Sequence, residues 1–251
     1  MVDKLYHDLT DSEWEKVKEK LPKEKTKGRP QIDPRKAFNG IMWILTSGAT
    51  WRFLPEKYGK WNSVYKKFQK WNAEGVFDNL IENNAEKSEI IAIDSTFCRV
   101  HQSATGARKI YGNQDIGASR GGKSTKIHFL VNENMEPVKF LLSSGNINDN
   151  QLALPLFHDL CLKGKKILAD KAYSTLEIRQ FLENHGALIC IPDKINFKVT
   201  HFFDKELYKK RNIIERFFCK LKNYRRIATR YDKLSTSFSA FVSLAIFLIS
   251  R

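Results

Sequence analysis

The sequence has few cysteines and no long apolar run, and both absences exclude classes of protein. Its four cysteines lie far apart and form no Cys-x-x-Cys pair, which argues against a disulfide framework and against a zinc site. The longest apolar stretch, residues 238–249, is broken by serines and is shorter than the roughly 18 to 20 residues that span a bilayer. The first twenty residues have no apolar core behind their charges, unlike a signal peptide. We therefore expect a cytoplasmic protein without a membrane span, closed by a buried helix.

Basic residues outnumber acidic residues, and this imbalance indicates the kind of molecule that the protein binds. The 251 residues carry 43 Lys and Arg against 28 Asp and Glu, a net charge of +15. Such a charge predicts a polyphosphate partner, although ribosomal and membrane-surface proteins share it. Residues 205–233 hold 11 Lys and Arg against 3 acids, a net of +8. Over half of the excess charge therefore lies in one segment, along which nucleic acid could run.

The first part of the chain, residues 1–86, is predicted to be a small helical domain. Thr10 and Glu13 form a capping-box pattern, and a second helix should begin after Asp33 and end at Gly48. A third helix, from about residue 62 to 73, carries basic residues that we assign to DNA binding: Lys66, Lys67 and Lys70. Together they predict a helix-turn-helix-like reader of DNA ends. An ordinary bundle with a solvated basic face fits equally well, because the connection exceeds the usual turn of about 3 to 4 residues.

Four tryptophans of this helical segment lie within thirty residues of one another. They are Trp43, Trp51, Trp61 and Trp71. Aromatic rings of this kind can stack on nucleobases. The alternative, which we favour for most of them, is that they build the core of the small domain.

The second part, residues 87–251, changes to strands alternating with helices. IIAID and KILAD are apolar runs that end in an acid, and TKIHFLV, VKFLLS and LICIP are further strand patterns. Helical patterns lie between and after them. This order predicts an α/β fold with a mixed sheet and helices packed on it.

Three acids of this segment are candidates for catalysis. Asp94 and Asp170 each follow an apolar run, so we expect both at strand ends, where catalytic groups gather on open α/β sheets. Glu215 shares a spacing of 3, 4 and 7 with Tyr208, Arg211 and Lys222, which on one helix places these side chains on one face. Arg226 and Arg230 are predicted to continue that face and to contact DNA.

The chemistry of phosphodiester attack explains such a set of acids. Two divalent ions about 3.5 to 4 Å apart activate the attacking oxygen and stabilise the leaving oxygen. Hard ions such as Mg²⁺ prefer carboxylate oxygens. We therefore predict that Asp94, Asp170 and Glu215 hold two Mg²⁺ ions, for which Mn²⁺ can substitute.

The same residues resemble a known family, the DDE transposases of bacterial insertion sequences, in particular the group of insertion sequence five. Its motif of Tyr, two residues, Arg, three residues, Glu, six residues and Lys is matched by Tyr208, Arg211, Glu215 and Lys222. The blocks IIAIDSTFCRVHQ, ATGARK, SRGGKSTKIH, ILADKAY and RRIATRYDKL are also similar to the family's blocks, in the same order. The resemblance covers about residues 30 to 250.

The resemblance implies an RNase H-like catalytic domain, with Asp94 on its first strand, Asp170 after its fourth and Glu215 on a late helix. It implies that Tyr208, Arg211 and Lys222 contact the DNA end near the scissile phosphate. It also implies that the N-terminal segment recognises terminal inverted repeats, that target DNA is the second substrate, and that the protein acts as a homo-oligomer.

Residues 117–124, GASRGGKS, match the phosphate-loop pattern. We reject that interpretation, because the stretch follows a polar segment and precedes a strand. We expect instead a flexible basic loop whose Arg120, Lys123 and Lys126 contact phosphates, with plain solvation as the alternative. His101 and His128 are interpreted as packing or phosphate contacts rather than metal ligands.

Two rival functions share much of this pattern. A transposase-derived regulator would bind DNA without cutting it, but it would not need the three acids. A stand-alone nuclease of the same fold would cleave without joining, and the chain alone does not separate it from a transposase.

Overall fold

The computed structural model describes residues 7–23, 31–81, 86–108, 110, 112–194 and 201–250. The helices in these ranges are α1 Asp11–Lys18, α2 Pro34–Ser47, α3 Trp61–Ala73, α4 Ala153–Phe157, α5 Leu176–Asn184, α6 Lys205–Lys209, α7 Asn212–Lys222, α8 Arg225–Ala228 and α9 Ser235–Ile249. The strands are β1 Ile90–Val100, β2 Gly117–Ser119, β3 Gly122–Asn132, β4 Pro137–Ser144, β5 Lys166–Ala169, β6 Leu188–Cys190 and β7 Thr229–Arg230. No helix in the described part of the chain is long and apolar enough to cross a membrane.

The chain separates into two compact units that interleave along the sequence. The helical unit comprises residues 1–81, 101–114 and 221–251, and the sheet unit comprises residues 82–100 and 115–220. The closing helix α9 therefore belongs with the N-terminal helices. The predicted boundary between a DNA-end-binding domain and a catalytic domain at residue 86 stays a prediction. The two compact units divide the chain at other positions.

The helical unit is built on capped, amphipathic helices. The Thr10–Glu13 capping box is present at the start of α1, and Asp33 caps α2 by accepting a hydrogen bond from the Lys36 backbone N–H at 2.8 Å. Gly48 ends α2 with a φ of +68°, a conformation that costs glycine little. These start and stop signals are confirmed.

Aromatic rings form the core of the helical unit. Phe68 of α3 stacks on Phe241 of α9 with ring centroids 4.8 Å apart, and Phe38 of α2 lies 6.2 Å from Trp71. Trp71 is 1% exposed. This tryptophan therefore builds the core, and the expected buried closing helix is confirmed, since most of α9 is buried.

The sheet unit contains the predicted mixed sheet, with the strand order β2-β3-β1-β5-β6 and β4 beside β3. β1 pairs antiparallel with β3, and β3 pairs antiparallel with β4. β5 pairs parallel with β1 and with β6. The expectation of an RNase H-like mixed sheet is confirmed.

The two faces of this sheet carry different helices. Ile93 and Leu130 are paired across β1 and β3 and belong to the core formed with α4 and α5. The next pair, Asp94 and Phe129, points to the opposite face, because side chains alternate along a strand. There Phe129 contacts Phe217 of α7, with ring centroids 4.9 Å apart. Asp94 thus lies on the face that α7 covers.

Two local predictions are corrected. The helix expected to carry residues 208–222 is broken between α6 and α7, where the backbone N–H groups of Lys210 and Arg211 bond three residues back, to Leu207 and Tyr208. β1 continues past Asp94 as far as Val100, so Asp94 does not end its strand. The hairpin of β2 and β3 replaces a phosphate loop at residues 117–124, as expected.

Candidate active site

Asp94 and Asp170 are brought together by the parallel pairing of β1 and β5. Ile93 and Ala169 form the last register pair between the two strands. The residue that follows each of them is an aspartate, Asp94 after Ile93 and Asp170 after Ala169. Asp94 Oδ1 accepts a hydrogen bond from the Ser95 backbone N–H at 2.8 Å, and Asp170 Oδ1 accepts one from the Ala172 backbone N–H at 2.8 Å. Asp94 therefore lies at the end of the parallel pairing although its strand continues.

The surroundings of Asp94 raise its pKa. Burial is the largest cause, the nearby Asp170 and Asp149 carboxylates add to the rise, and the pKa of this carboxyl reaches about 6. The Ser95 N–H and the Arg211 guanidinium act in the opposite direction. The site therefore stabilises added positive charge, which is the electrostatic condition for binding a cation.

Arg211 links Asp94 to Glu215. One guanidinium nitrogen lies 3.0 Å from Asp94 Oδ2, and the other donates a hydrogen bond to Glu215 Oε1. The Arg211 and Asp94 side chains are 20% and 22% exposed, whereas Glu215 is 54% exposed. Arg211 thus neutralises both acids at the edge of the site.

Tyr208 also reaches this group. The Arg211 guanidinium carbon lies 5.9 Å from the centre of the Tyr208 ring. Burial raises the pKa of the Tyr208 hydroxyl, and Asp170 contributes to the rise. Asp94, Glu215 and Tyr208 therefore meet around Arg211. Lys222, in contrast, is an exposed residue at the end of α7.

The three acids do not form a ready metal cluster. Among the residues that the structure describes, no three His, Cys, Asp or Glu side chains are grouped so as to hold a metal ion. Asp94 and Asp170 fit a hard divalent ion by the chemistry of their oxygens. Glu215 instead accepts a hydrogen bond from Arg211.

A polar network that the sequence did not reveal lies behind Asp94. Asp149 accepts hydrogen bonds from Ser95 Oγ at 2.7 Å and from Lys126 Nζ at 2.9 Å. Lys126 also donates to the Ile147 carbonyl at 2.7 Å, and it is 6% exposed. Ser95 is the neighbour of Asp94, so this network fixes the strand beside Asp94. Asp149 begins a 3-10 helix of four residues, which is too short for a spacing pattern to single it out.

Two further buried groups belong to the same region. Burial raises the pKa of Tyr173 well above its usual value, and Asp94, Asp149 and Asp170 add to the rise. Burial lowers the pKa of His128 to about 4, and its Nε2 shares a hydrogen bond with Ser143 Oγ at 2.8 Å. His128 is thus a packed side chain and not a phosphate contact.

Three residues predicted to contact DNA are buried in the structure. Arg226 is 4% exposed and makes two hydrogen bonds to Asp232, at 3.1 and 2.8 Å. Arg230 is fully buried and donates to the Asp232 carbonyl at 2.8 Å. Lys67 is 6% exposed and donates to Gln31 Oε1 at 3.2 Å. Neither arginine continues α7, since that helix ends at residue 222.

The other basic candidates remain accessible. Lys66 and Lys70 are exposed on α3, and Arg120 and Lys123 are exposed at the hairpin of β2 and β3. His101 packs its ring against Tyr231, with centroids 5.0 Å apart. Their contacts with DNA stay a prediction.

Family models match the chain in two consecutive ranges. The model described as a putative transposase of the IS4/5 family matches residues 9–81, and the model described as a transposase DDE domain matches residues 85–249. A putative transposase for insertion sequence element IS6501 of Brucella ovis is 36% identical over 127 residues, which are 50% of this chain and 97% of the relative. An uncharacterized protein, y4sN, of Sinorhizobium fredii is 34% identical over 110 residues, 42% of this chain and 87% of that protein.

Among solved structures, a piggyBac transposase synaptic complex with hairpin DNA is 9% identical with a TM-score of 0.42; the match covers 73% of this chain and 47% of that chain. This chain thus spans about half the length of the piggyBac transposase. A Mos1 transposase paired-end complex is 11% identical with a TM-score of 0.29, over 92% of this chain and 86% of that chain. The DDE-domain match alone covers more than half of the residues, so this chain belongs to the DDE transposase family.

Proposed function

We propose that this transposase cleaves DNA at the ends of an insertion sequence and joins the freed 3′-hydroxyl to target DNA, with Asp94, Asp170 and Glu215 as its catalytic residues. The observation that carries the proposal is the meeting of Asp94 and Asp170 at the end of the β1–β5 pairing, with Glu215 tied to Asp94 through Arg211. In this proposal, the three acids predicted from the sequence act as parts of one electrostatic unit.

Asp94 and Asp170 would hold divalent metal, Mg²⁺ or Mn²⁺, through carboxylates that backbone N–H groups already orient. Two such ions, when bound, activate the attacking oxygen and stabilise the leaving oxygen. With a pKa of about 6, Asp94 is ionised at neutral pH, and a cation relieves its repulsion from Asp170. The Ser95–Asp149–Lys126 network keeps β1 in register while charge changes at the site.

Arg211 has a second task in this proposal. Its guanidinium is a bidentate donor that suits a phosphate as well as a carboxylate. A DNA phosphate that draws Arg211 away from Glu215 would free this carboxylate to complete the metal site. Tyr208 and Lys222 would contact the same DNA end.

We further propose that residues 1–86 recognise the terminal inverted repeats and that two or more subunits act on paired ends. The exposed lysines of α3, Lys66 and Lys70, support a DNA-facing surface. Arg120 and Lys123 at the β2–β3 hairpin would add phosphate contacts near the catalytic residues. Replacing Lys66 and Lys70 with alanine should lower the salt dependence of DNA binding by about one to two phosphate contacts. Lys16 and Lys18, exposed on α1, provide the matched control pair.

A cleavage and joining assay tests the proposal. The purified chain is mixed with a labelled duplex that carries the DNA flanking its gene, with Mg²⁺ or EDTA, and with Glu215→Gln as the control. We expect metal-dependent nicking at the repeat end followed by strand joining, both lost in the variant. Nicking without joining would favour a stand-alone nuclease, and salt-sensitive binding without nicking would favour a regulator.

A further inference from the structure

The helical unit contains a cavity of about 540 Å³, a size usual for pockets that take small ligands. Its walls are aromatic: Trp51, Trp61, Tyr65 and Tyr231 all line it. Its cationic side chains include the exposed Arg108 and Lys233. None of these residues belongs to the acidic site in the sheet unit.

The aromatic wall is anchored on one side and open on the other. Trp51 packs against the core rings of Phe68 and Phe241, with centroids 5.4 and 6.1 Å away. Tyr65 stands edge-on to Trp51 at 5.2 Å. Trp61 and Tyr65 remain 38% and 36% exposed. The Trp51 indole therefore supports the Tyr65 ring, and both Tyr65 and Trp61 still have surface available for stacking.

Arg226 forms part of the same wall. Its guanidinium carbon lies 5.8 Å from the ring centres of both Trp51 and Tyr231. Asp232 fixes and neutralises it through two hydrogen bonds, and Arg226 also donates to the Ala49 carbonyl at 3.1 Å. The buried arginine is thus a rigid, flat element of the pocket, and the positive charge left over comes from Arg108 and Lys233.

This combination selects a class of ligand. Flat aromatic walls accept the π-face of any nucleobase, and each stacked base contributes about 1 to 3 kcal/mol. Exposed cations beside the rings suit the phosphate that such a base carries. A base paired inside a duplex does not offer its face to a pocket, so the ligand must be unpaired.

We propose that this pocket binds one unpaired nucleotide of a DNA substrate, with its base against Trp61 and Tyr65 and its phosphate near Arg108 and Lys233. The inference rests on the proposed function only in taking DNA as the partner. It assigns the pocket a role that is separate from the acids that cut.

Fluorescence anisotropy with the full chain tests the proposal on three labelled hairpin duplexes. One is fully paired, one carries a single extra unpaired nucleotide, and one carries an abasic residue at that position. We expect the unpaired nucleotide to tighten binding by about 5- to 100-fold over the paired duplex, the range that corresponds to one stacked base. The abasic duplex, equally flexible but without a base to stack, should bind like the paired one.

Pocket variants supply the matched comparison. Trp61→Ala and Tyr65→Ala should lose the preference for the unpaired nucleotide and keep the affinity for paired DNA. Phe53→Ala, whose ring is 75% exposed and does not line the cavity, should retain the preference. Circular dichroism establishes that each variant is folded. Because Trp61 and Tyr65 are both partly exposed, we expect both variants to fold.

The proposal is overturned if the wild-type chain binds all three duplexes equally, if the abasic duplex gains the same affinity, or if both pocket variants keep the preference. A titration with deoxyadenosine monophosphate tests whether the ligand is a free nucleotide instead of DNA. If the free nucleotide quenches tryptophan fluorescence and the chain shows no preference for the duplex with the unpaired nucleotide, the pocket is a mononucleotide site and the DNA assignment is overturned. Equal binding to the duplexes with intact cleavage removes the pocket inference alone. Failure to bind or cut any DNA removes the proposed function.

Discussion

Arg211 and Arg226 each pair with carboxylates, yet their surroundings differ. Arg226 and Asp232 are 4% and 7% exposed and form a closed pair within the helical unit. Arg211 is 20% exposed and is shared between Asp94 and a Glu215 that is 54% exposed. A buried pair stabilises one structure, whereas a shared and more exposed pair can be exchanged for another ion. We therefore expect a structural role for the first arginine and a functional role for the second.

The largest effect should be the loss of DNA cleavage when Asp94, the partner of Arg211, or the neighbouring Asp170 is replaced. Asp94→Asn and Asp170→Asn should each slow cleavage by about 10³-fold or more, because each removes a carboxylate worth several kcal/mol of transition-state stabilisation through bound metal. Binding to paired DNA should be retained. Nicking rates with Mg²⁺ and anisotropy with the same duplex measure the two properties.

Asp159→Asn is the matched control for this experiment. Asp159 is a carboxylate of the sheet unit that is 73% exposed and lies outside the acidic group, so its replacement should leave nicking unchanged. A wild-type rate in Asp170→Asn would remove Asp170 from the site.

The closed pair should instead dominate stability. Arg226→Ala should lower the free energy of unfolding by about 3 to 5 kcal/mol, because it leaves the buried Asp232 without its partner. Urea unfolding measures the loss. Arg225→Ala, at the exposed neighbouring position, should change stability by less than about 0.5 kcal/mol.

The double variant sharpens this result. If the cost of Arg226→Ala is mainly an uncompensated charge, Arg226→Ala combined with Asp232→Ala should be less destabilised than the sum of the two single changes. Equal losses in Arg226→Ala and Arg225→Ala would show that the enclosed pair contributes nothing to stability.

The same comparison explains what could be predicted from the sequence. Strands, caps and the closing helix were predictable because apolar period and turn chemistry are local, as Asp33 and Gly48 illustrate at the two ends of α2. The apolar run that ends in Asp94 and the family motif with Arg211 and Glu215 led to three residues that the structure joins through two ion pairs. Charge and spacing were therefore informative where the residues serve chemistry.

Predictions from the sequence were less informative for charged residues that are buried and paired within the fold. Arg226 and Arg230 look like further members of a basic face, and their burial depends on partners supplied by the turn at residues 232 and 233. Asp149 has no spacing signal, because its role follows from the register that places Ser95 beside it. The turn between α6 and α7 was missed because helical spacing continues across it in sequence although the backbone tightens there.

Asp94 makes a pH-dependent prediction about stability. Its pKa is raised from 3.8 to about 6 in the folded chain, so the folded state holds this proton more tightly than the unfolded state does. Folded stability should therefore fall as pH rises from about 4 to about 6, by up to roughly 3 kcal/mol, and the cost should persist at higher pH. Asp94→Asn removes this cost.

Urea unfolding in EDTA at pH 4 and pH 7.5 measures it. We expect Asp94→Asn to be more stable than the wild-type chain at pH 7.5 and close to it at pH 4, where Asp94 is protonated in the folded chain and the comparison controls for the amide itself. A variant that is less stable at pH 7.5 would mean that the ion pair with Arg211 outweighs burial.

The smallest effect tests whether the open pair is exchangeable. Arg211→Ala removes a positive charge from Asp94 and Glu215, and a divalent cation should then bind more tightly in the absence of DNA. A unit charge at about 4 Å is worth about 4 kcal/mol near a protein surface, and screening of the half-exposed Glu215 reduces this to a gain in Mn²⁺ affinity of about 10-fold. Electron paramagnetic resonance of free Mn²⁺ measures it, with Arg216→Ala, exposed on the following helix α7, as the control. Adding Asp94→Asn should abolish the gain, since the metal would lose its ligand. Equal affinities in wild type and Arg211→Ala would show that Arg211 and the metal do not compete, and the role of Arg211 would then reduce to its contact with DNA.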